Sequence, residues 1–140
     1  MKNSRVASVQ FEHLPGDKEA NLAKVRRFAA EAAGQGAELV ICPEMCVTGY
    51  WFLRDLSRPE LDALAEPIPD GPTTRVLLDL AREHDISVGA GFLERSAEGE
   101  LFNSYVVAMP DGSHVRHRKL HAFVNEHVSS GSEFTVFDLP

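Results

Sequence analysis

Cysteine is scarce in this chain of 140 residues: Cys42 and Cys46 are the only two. A chain long enough to fold without cross-links, carrying so few thiols, is no disulfide-stapled scaffold; it offers no zinc-ligand pattern and fits a reducing compartment. Long apolar runs are missing too. Stretches such as 39–43 fall far below the roughly 18 residues that span a bilayer, so no membrane span is expected. Met1-Lys2-Asn3-Ser4-Arg5 leads straight into a strand-like run, without an apolar signal core or a small-residue cleavage site, and a cytoplasmic location is expected. Positive charge is in deficit. The 14 Lys and Arg against 21 Asp and Glu leave a net charge of −7, the wrong sign for a general binder of nucleic acid or anionic membrane.

What is present suits one globular domain, with 44% hydrophobic and 25% charged residues and enough chain to bury a core. Val6, Val9 and Phe11 mark a short first strand, closed by the turn Pro15-Gly16-Asp17. Over 19–33, Leu22, Val25, Phe28, Ala29, Ala32 and Ala33 recur at three- and four-residue steps. That spacing predicts an amphipathic helix with Asp17 as its N-cap and Gly34 and Gly36 at its stop. Leu39-Val40-Ile41-Cys42 is continuously apolar, as in a central strand covered on both faces, and Pro43 ends it with Glu44 at the carboxyl end. After a polar and aromatic connection, Ser57-Arg58-Pro59-Glu60 has capping-box spacing for a short helix over 61–65. Pro72 suits the first turn of a third helix that ends near His84. Ile86, Val88, Ala90 and Phe92 alternate with Ser87, Gly89 and Gly91; with 102–108 they predict two paired strands joined at Glu98-Gly99. Pro110-Asp111-Gly112 turns the chain into a further strand over 114–118, and 134–139 is strand-like again. The order implies an α/β fold, a mixed sheet with flanking helices on one or both faces.

Three places can carry chemistry. Glu44 sits at the carboxyl end of a buried strand, where open α/β sheets put ligand-handling groups, although most glutamates in such loops are simply solvated. Lys119 ends a strand rich in Arg116, His117, Arg118 and His121, and a lysine beside a carboxylate can stabilise a developing oxyanion. The same residues read as a solvated basic strand or a nucleic-acid patch; limited aromatic interleaving and the acidic whole argue against nucleic acid. Cys42 and Cys46 bracket Glu44 and invite a nucleophile reading, but Cys42 lies in the apolar run and a neighbouring carboxylate raises a thiol pKa.

Pro43-Glu44-Met45 with Thr48-Gly49-Tyr50, followed by Arg118-Lys119-Leu120-His121-Ala122-Phe123, resembles the nitrilase superfamily of carbon-nitrogen hydrolases. The likeness continues through the Asn21-bearing helix, Gly91-Phe92-Leu93-Glu94, Phe102-Asn103-Ser104 and Val136-Phe137-Asp138. It implies that 1–140 is the N-terminal portion of a single hydrolase domain, part of an α-β-β-α sandwich. The implied activity is hydrolysis of a non-peptide carbon-nitrogen bond in a small nitrile, amide or carbamoyl substrate, by a Glu-Lys-Cys triad without metal or organic cofactor. By the same resemblance Glu44 is the general base, Lys119 stabilises the tetrahedral intermediate, and Glu126 is a second active-site glutamate. The family's nucleophilic cysteine follows the Val136-Phe137-Asp138 region. Neither Cys42 nor Cys46 matches it, so this chain alone is expected to be inactive and to continue beyond Pro140. Uncovered sheet then favours a homo-oligomer or a partner chain. From another class, a noncatalytic binding or assembly module retaining half of the sandwich fits as well. Segments 51–57 and 125–131 are expected to border the pocket, with Tyr50, Trp51 and Phe52 serving either an apolar part of the substrate or packing.

Overall fold

A computed structural model describes residues 3–140, and Met1 and Lys2 lie outside it. The elements run β1 (Val6–Ser8), α1 (Lys18–Gly34), β2 (Leu39–Ile41), a 3-10 helix (Trp51–Asp55), α2 (Arg58–Leu64), α3 (Pro72–His84), β3 (Ser87–Arg95), β4 (Leu101–Ala108), β5 (His114–Arg118) and β6 (Val128–Ser129). They build a mixed six-stranded sheet in the order β1-β2-β3-β4-β5, with β6 also paired to β4. β1, β2 and β3 are parallel, while β3, β4 and β5 form an antiparallel meander.

Local chemistry places the helices as the sequence reading expects. Asp17 accepts a hydrogen bond from Ala20 N at 3.0 Å to start α1, and Gly36 beyond its end adopts φ +75°, open to glycine at no steric cost. Ser57 N donates to Glu60 Oε2 at 2.7 Å, which closes the capping box of α2, and Pro72 occupies the first turn of α3. α1 and α3 lie on one face. There Val25, Ala29, Leu77, Leu80 and Ala81 meet Val40, Val88, Ala90, Phe92, Val106 and Ala108, the alternate residues of three strands. A second cluster covers the far end of β3 on the opposite face, where Leu93 and Leu101 pack with Met45, Leu53, Leu61 and Ala65.

Two expectations are corrected, and two short elements occur where the sequence reading assigns none. β2 is not covered along its whole length on both faces: Leu39 and Val40 are buried, but Ile41 is 37% exposed, and Val6, in register with Leu39, is 50% exposed. The connection after Glu44 contains the 3-10 helix Trp51–Asp55, because the aromatic segment packs instead of looping. β6 has no sequence signal, being two residues long and defined by its partners Leu101 and Phe102 alone. Finally, 134–139 forms no strand despite its composition. β propensity needs a neighbouring ladder and this segment has none among the described residues, leaving Phe134 and Val136 89% and 94% exposed.

β5 has little apolar alternation to fix it, and a buried charge cluster does that work. Glu94, 1% exposed, accepts from Arg116 Nη1 at 3.0 Å, from Arg118 Nη2 at 2.6 Å and Nε at 3.1 Å, and from the Ser104 hydroxyl. Burial alone would raise the Glu94 carboxyl. Hydrogen bonds from Arg118 and Ser104, with the charges of both arginines, outweigh it and hold the group below the usual carboxylate range. A depressed folded-state pKa contributes stability above the ordinary glutamate range, lost as pH falls through the lowered value. Glu94→Gln is therefore expected to destabilise the fold by about 3 kcal/mol, the low end for breaking a buried pair because both arginines keep some solvent. Denaturant melts check this: the wild type should lose more stability than the variant between pH 7 and pH 4, and an equal loss would remove the charge cluster as the cause.

Candidate active site

Glu44 stands where Pro43 stops β2. The last ladder bond, Cys42 N to Gly89 O, is 2.9 Å, and the chain then coils tightly through 43–49 with Cys46 N donating to Pro43 O at 3.3 Å and Gly49 N to Met45 O at 2.8 Å. Met45 adopts φ +53°, a left-handed conformation uncommon for a residue with a side chain. The turn is pinned from three sides. Val47 N donates to Gly91 O at 3.1 Å, Leu93 N to Thr48 Oγ1 at 3.2 Å, and the fully buried Asn21 side chain to Val47 O at 3.0 Å. Gly91 is required by contact: a Cβ there would lie 2.5 Å from Met45 N and 3.2 Å from Glu44 Cα.

Lys119 follows β5. Its backbone N donates to Asn103 O at 2.9 Å, its carbonyl accepts from Gly131 N at 2.8 Å, and its Nζ donates to Glu44 Oε1 at 2.8 Å. Asn103 Nδ2 donates to the same Oε1 at 2.6 Å. The Tyr50 and Phe123 rings lie with centroids 5.7 and 5.6 Å from the ammonium, within cation-π range. The hydrogen bond to Glu44 raises the Lys119 pKa above the ordinary lysine range, against a smaller opposing effect of burial. The pair is only part-buried, at 30% exposure for Lys119 and 48% for Glu44, so a small molecule in the adjoining space can reach it. That space is a cavity of about 440 Å³ lined by Glu44, Asn103, Tyr105, His117, Lys119, Leu120 and His121. Tyr105 lies across Gly89, where a Cβ would come within 2.8 Å of its ring, and donates from its hydroxyl to Cys42 O at 2.7 Å.

The structure thus joins Glu44 to Lys119. It does not join Glu126 to them: Glu126 is exposed and lines an adjoining groove with Arg54, Asp55, Ser57, Phe123 and His127. The segments expected to border the pocket, 51–57 and 125–131, line that second groove instead of the cavity beside Lys119. Of the three aromatics, Phe52 packs inward against Gly16 and Gly49, while Tyr50 and Trp51 stack edge-on at 5.1 Å with Phe123 beside them. Both cysteines are buried, and burial pushes the Cys42 thiol up to about 12 and Cys46 to about 11, far from thiolate formation at neutral pH. Sequence reasoning did not single out the donation from Asn103 to Glu44, or Tyr105 and His117 as cavity walls. The available signal was alternation: Asn103 and Tyr105 share one face of β4, and Tyr105 is in register with His117.

One substitution tests the support of the Glu44 turn. Gly91→Ala should destabilise the fold by about 2 kcal/mol, since backbone atoms and not a flexible side chain block the new methyl. It should also disturb the Lys119–Glu44 contact in a crystal structure; an unshifted turn would remove this constraint.

A sequence model of carbon-nitrogen hydrolases matches residues 5–140. The chain is 37% identical over 138 residues to a nitrilase of Pyrococcus abyssi, across 96% of this chain and 51% of that protein. It is 32% identical over 154 residues to an omega-amidase of Danio rerio, across 100% and 52%. This chain therefore spans about half the length of the curated relatives it matches. A CN-hydrolase superfamily protein of Xanthomonas campestris, solved with an arsenic adduct in its active site, superposes with a TM-score of 0.83 at 27% identity, across 99% of this chain and 50% of that one. The parallel start and the antiparallel meander thus belong to a known architecture, and the chain belongs to the carbon-nitrogen hydrolase family.

Proposed function

We propose that residues 1–140 supply the base-and-lysine part of one carbon-nitrogen hydrolase domain that acts on a small nitrile, amide or carbamoyl compound. The observation that carries this reading is the 2.8 Å contact between Lys119 Nζ and Glu44 Oε1 at the wall of an open cavity. A carboxylate holding a lysine charged beside a space for substrate pairs a proton acceptor with a fixed cation. Acyl transfer needs both.

The nucleophile in this proposal is a cysteine thiol from outside these 140 residues, because Cys42 and Cys46 are buried and hard to ionise. Glu44 takes the thiol proton as sulfur adds to the substrate carbon. Negative charge that builds on the amide oxygen faces the Lys119 ammonium. The nitrogen departs as ammonia or amine with the proton returned through Glu44, leaving a thioester. Water, giving its proton to Glu44, then attacks the thioester, and the acid leaves with the thiol restored; a nitrile consumes one further water. No metal or organic cofactor is needed for these steps. Glu126 is assigned as a second carboxylate on the substrate side, supported by the resemblance and by its position in the segment that follows Lys119. Exposed Val6 and Ile41 support assembly with further chain, either more of the same domain or a second copy. A noncatalytic assembly module leaves the Lys119–Glu44 contact without a purpose.

Turnover by the holoenzyme, this chain together with the sequence that supplies the thiol, tests the reading. Glu44→Gln and Lys119→Ala are each expected to lower kcat by about 100- to 1000-fold with an unchanged melting temperature. Full activity in either variant would sink the assigned role. In Glu44→Gln, NMR titration of the Lys119 ammonium should also move down toward the ordinary lysine range, since its main stabilising partner is gone. Separately, neither cysteine of the native chain should react with iodoacetamide at pH 7, and both should react after unfolding. A rapidly alkylated thiol would mean that this chain carries a nucleophile of its own.

A further inference from the structure

We propose that Asn103 is a positioning residue that decides which oxygen of Glu44 takes the proton. This rests on the reading of Glu44 as the base. Asn103 is 4% exposed, and its side-chain amide points at Glu44, a residue 59 positions away in the chain. Its Nδ2 donates to Oε1 at 2.6 Å, and Lys119 Nζ donates to the same oxygen at 2.8 Å. Neither donates to Oε2, and no other side chain does so among the described residues. One oxygen thus carries two hydrogen bonds, one of them from a cation, while the other keeps its lone pairs. Oε2 is the more basic atom, and it is the one that accepts the proton.

The backbone of Asn103 adds to this. Its carbonyl accepts from Lys119 N at 2.9 Å, so a single residue fixes the start of the lysine through its main chain and the carboxylate through its side chain. Substituting the side chain leaves the main-chain bond in place, which separates the two contributions. Losing a donor to a carboxylate disfavours its charged form.

In the holoenzyme, Asn103→Ala should lower kcat about 10- to 100-fold with KM little changed, the range for a hydrogen bond to a charged group. The acid limb of kcat/KM against pH should move up by about one pH unit. Asn103→Asp keeps the shape of the site, guards against a packing defect in the alanine variant, and should move the acid limb further up by placing a second carboxylate against Oε1. Acid limbs at the wild-type pH in both variants overturn the proposal, as does a loss of kcat that only follows a fall in melting temperature. Glu44→Gln run alongside separates the two readings. If it stays active, the base assignment fails and this proposal with it; if it is inactive while both Asn103 variants keep the wild-type profile, only the role of Asn103 fails.

Discussion

Lys119 and Glu44 are 75 residues apart in sequence, and the hydrogen bond between them exists only because β4 lies between β3 and β5. β3 carries the Glu44 turn on Gly91, and β5 delivers Lys119 at its end. β4 keeps both at the right separation, and Asn103 on β4 touches both. An ion pair this exposed contributes little to stability, since surface pairs are worth about 0–1 kcal/mol. The pair is held by the sheet and does not itself hold the sheet together.

Stability at that end of the molecule comes from the neighbouring residues on the opposite face. Adjacent strand residues point to opposite sides, so Asn103 and Ser104, like Arg118 and Lys119, divide between two carboxylates. Ser104 and Arg118 go to buried Glu94, while Asn103 and Lys119 go to accessible Glu44. The first set is desolvated and costly to break; the second is open and chemically available. A strong structural cluster thus stands back to back with a weakly stabilising one, and the rigidity of the first sets the geometry of the second.

Much of this was legible in the sequence because it is local. Asp17 before α1, Ser57 and Glu60 at α2, Pro72 at α3 and the Glu98-Gly99 hairpin each act over a few residues, and each forms as expected. Glu44 and Lys119 stood out through their motifs. What stayed hidden depends on contacts remote in sequence: β6 exists through Leu101 and Phe102, and Asn103 has meaning only opposite Glu44. The segment 134–139 shows the converse. Its composition favours a strand, but backbone pairing needs a neighbour, and composition carries no information about that.

The division of Arg118 and Lys119 between two faces has a further consequence for how the sequence can change. A one-residue slide of β5 would move both in the same direction: either Arg118 comes before Glu44 and His117 before Glu94, or Lys119 comes before Glu94 and Leu120 before Glu44. In neither case do both carboxylates keep a fixed cation. Apolar alternation in β5 adds little to this constraint. The Glu94 cluster holds the register together with the tight turn before the strand, where Gly112 at φ +89° donates to Met109 O at 3.0 Å and Met109 N donates to Ser113 O at 2.9 Å. A single insertion or deletion between Met109 and His114 would thus leave charge and composition almost unchanged while separating at least one of the two carboxylates from its cation.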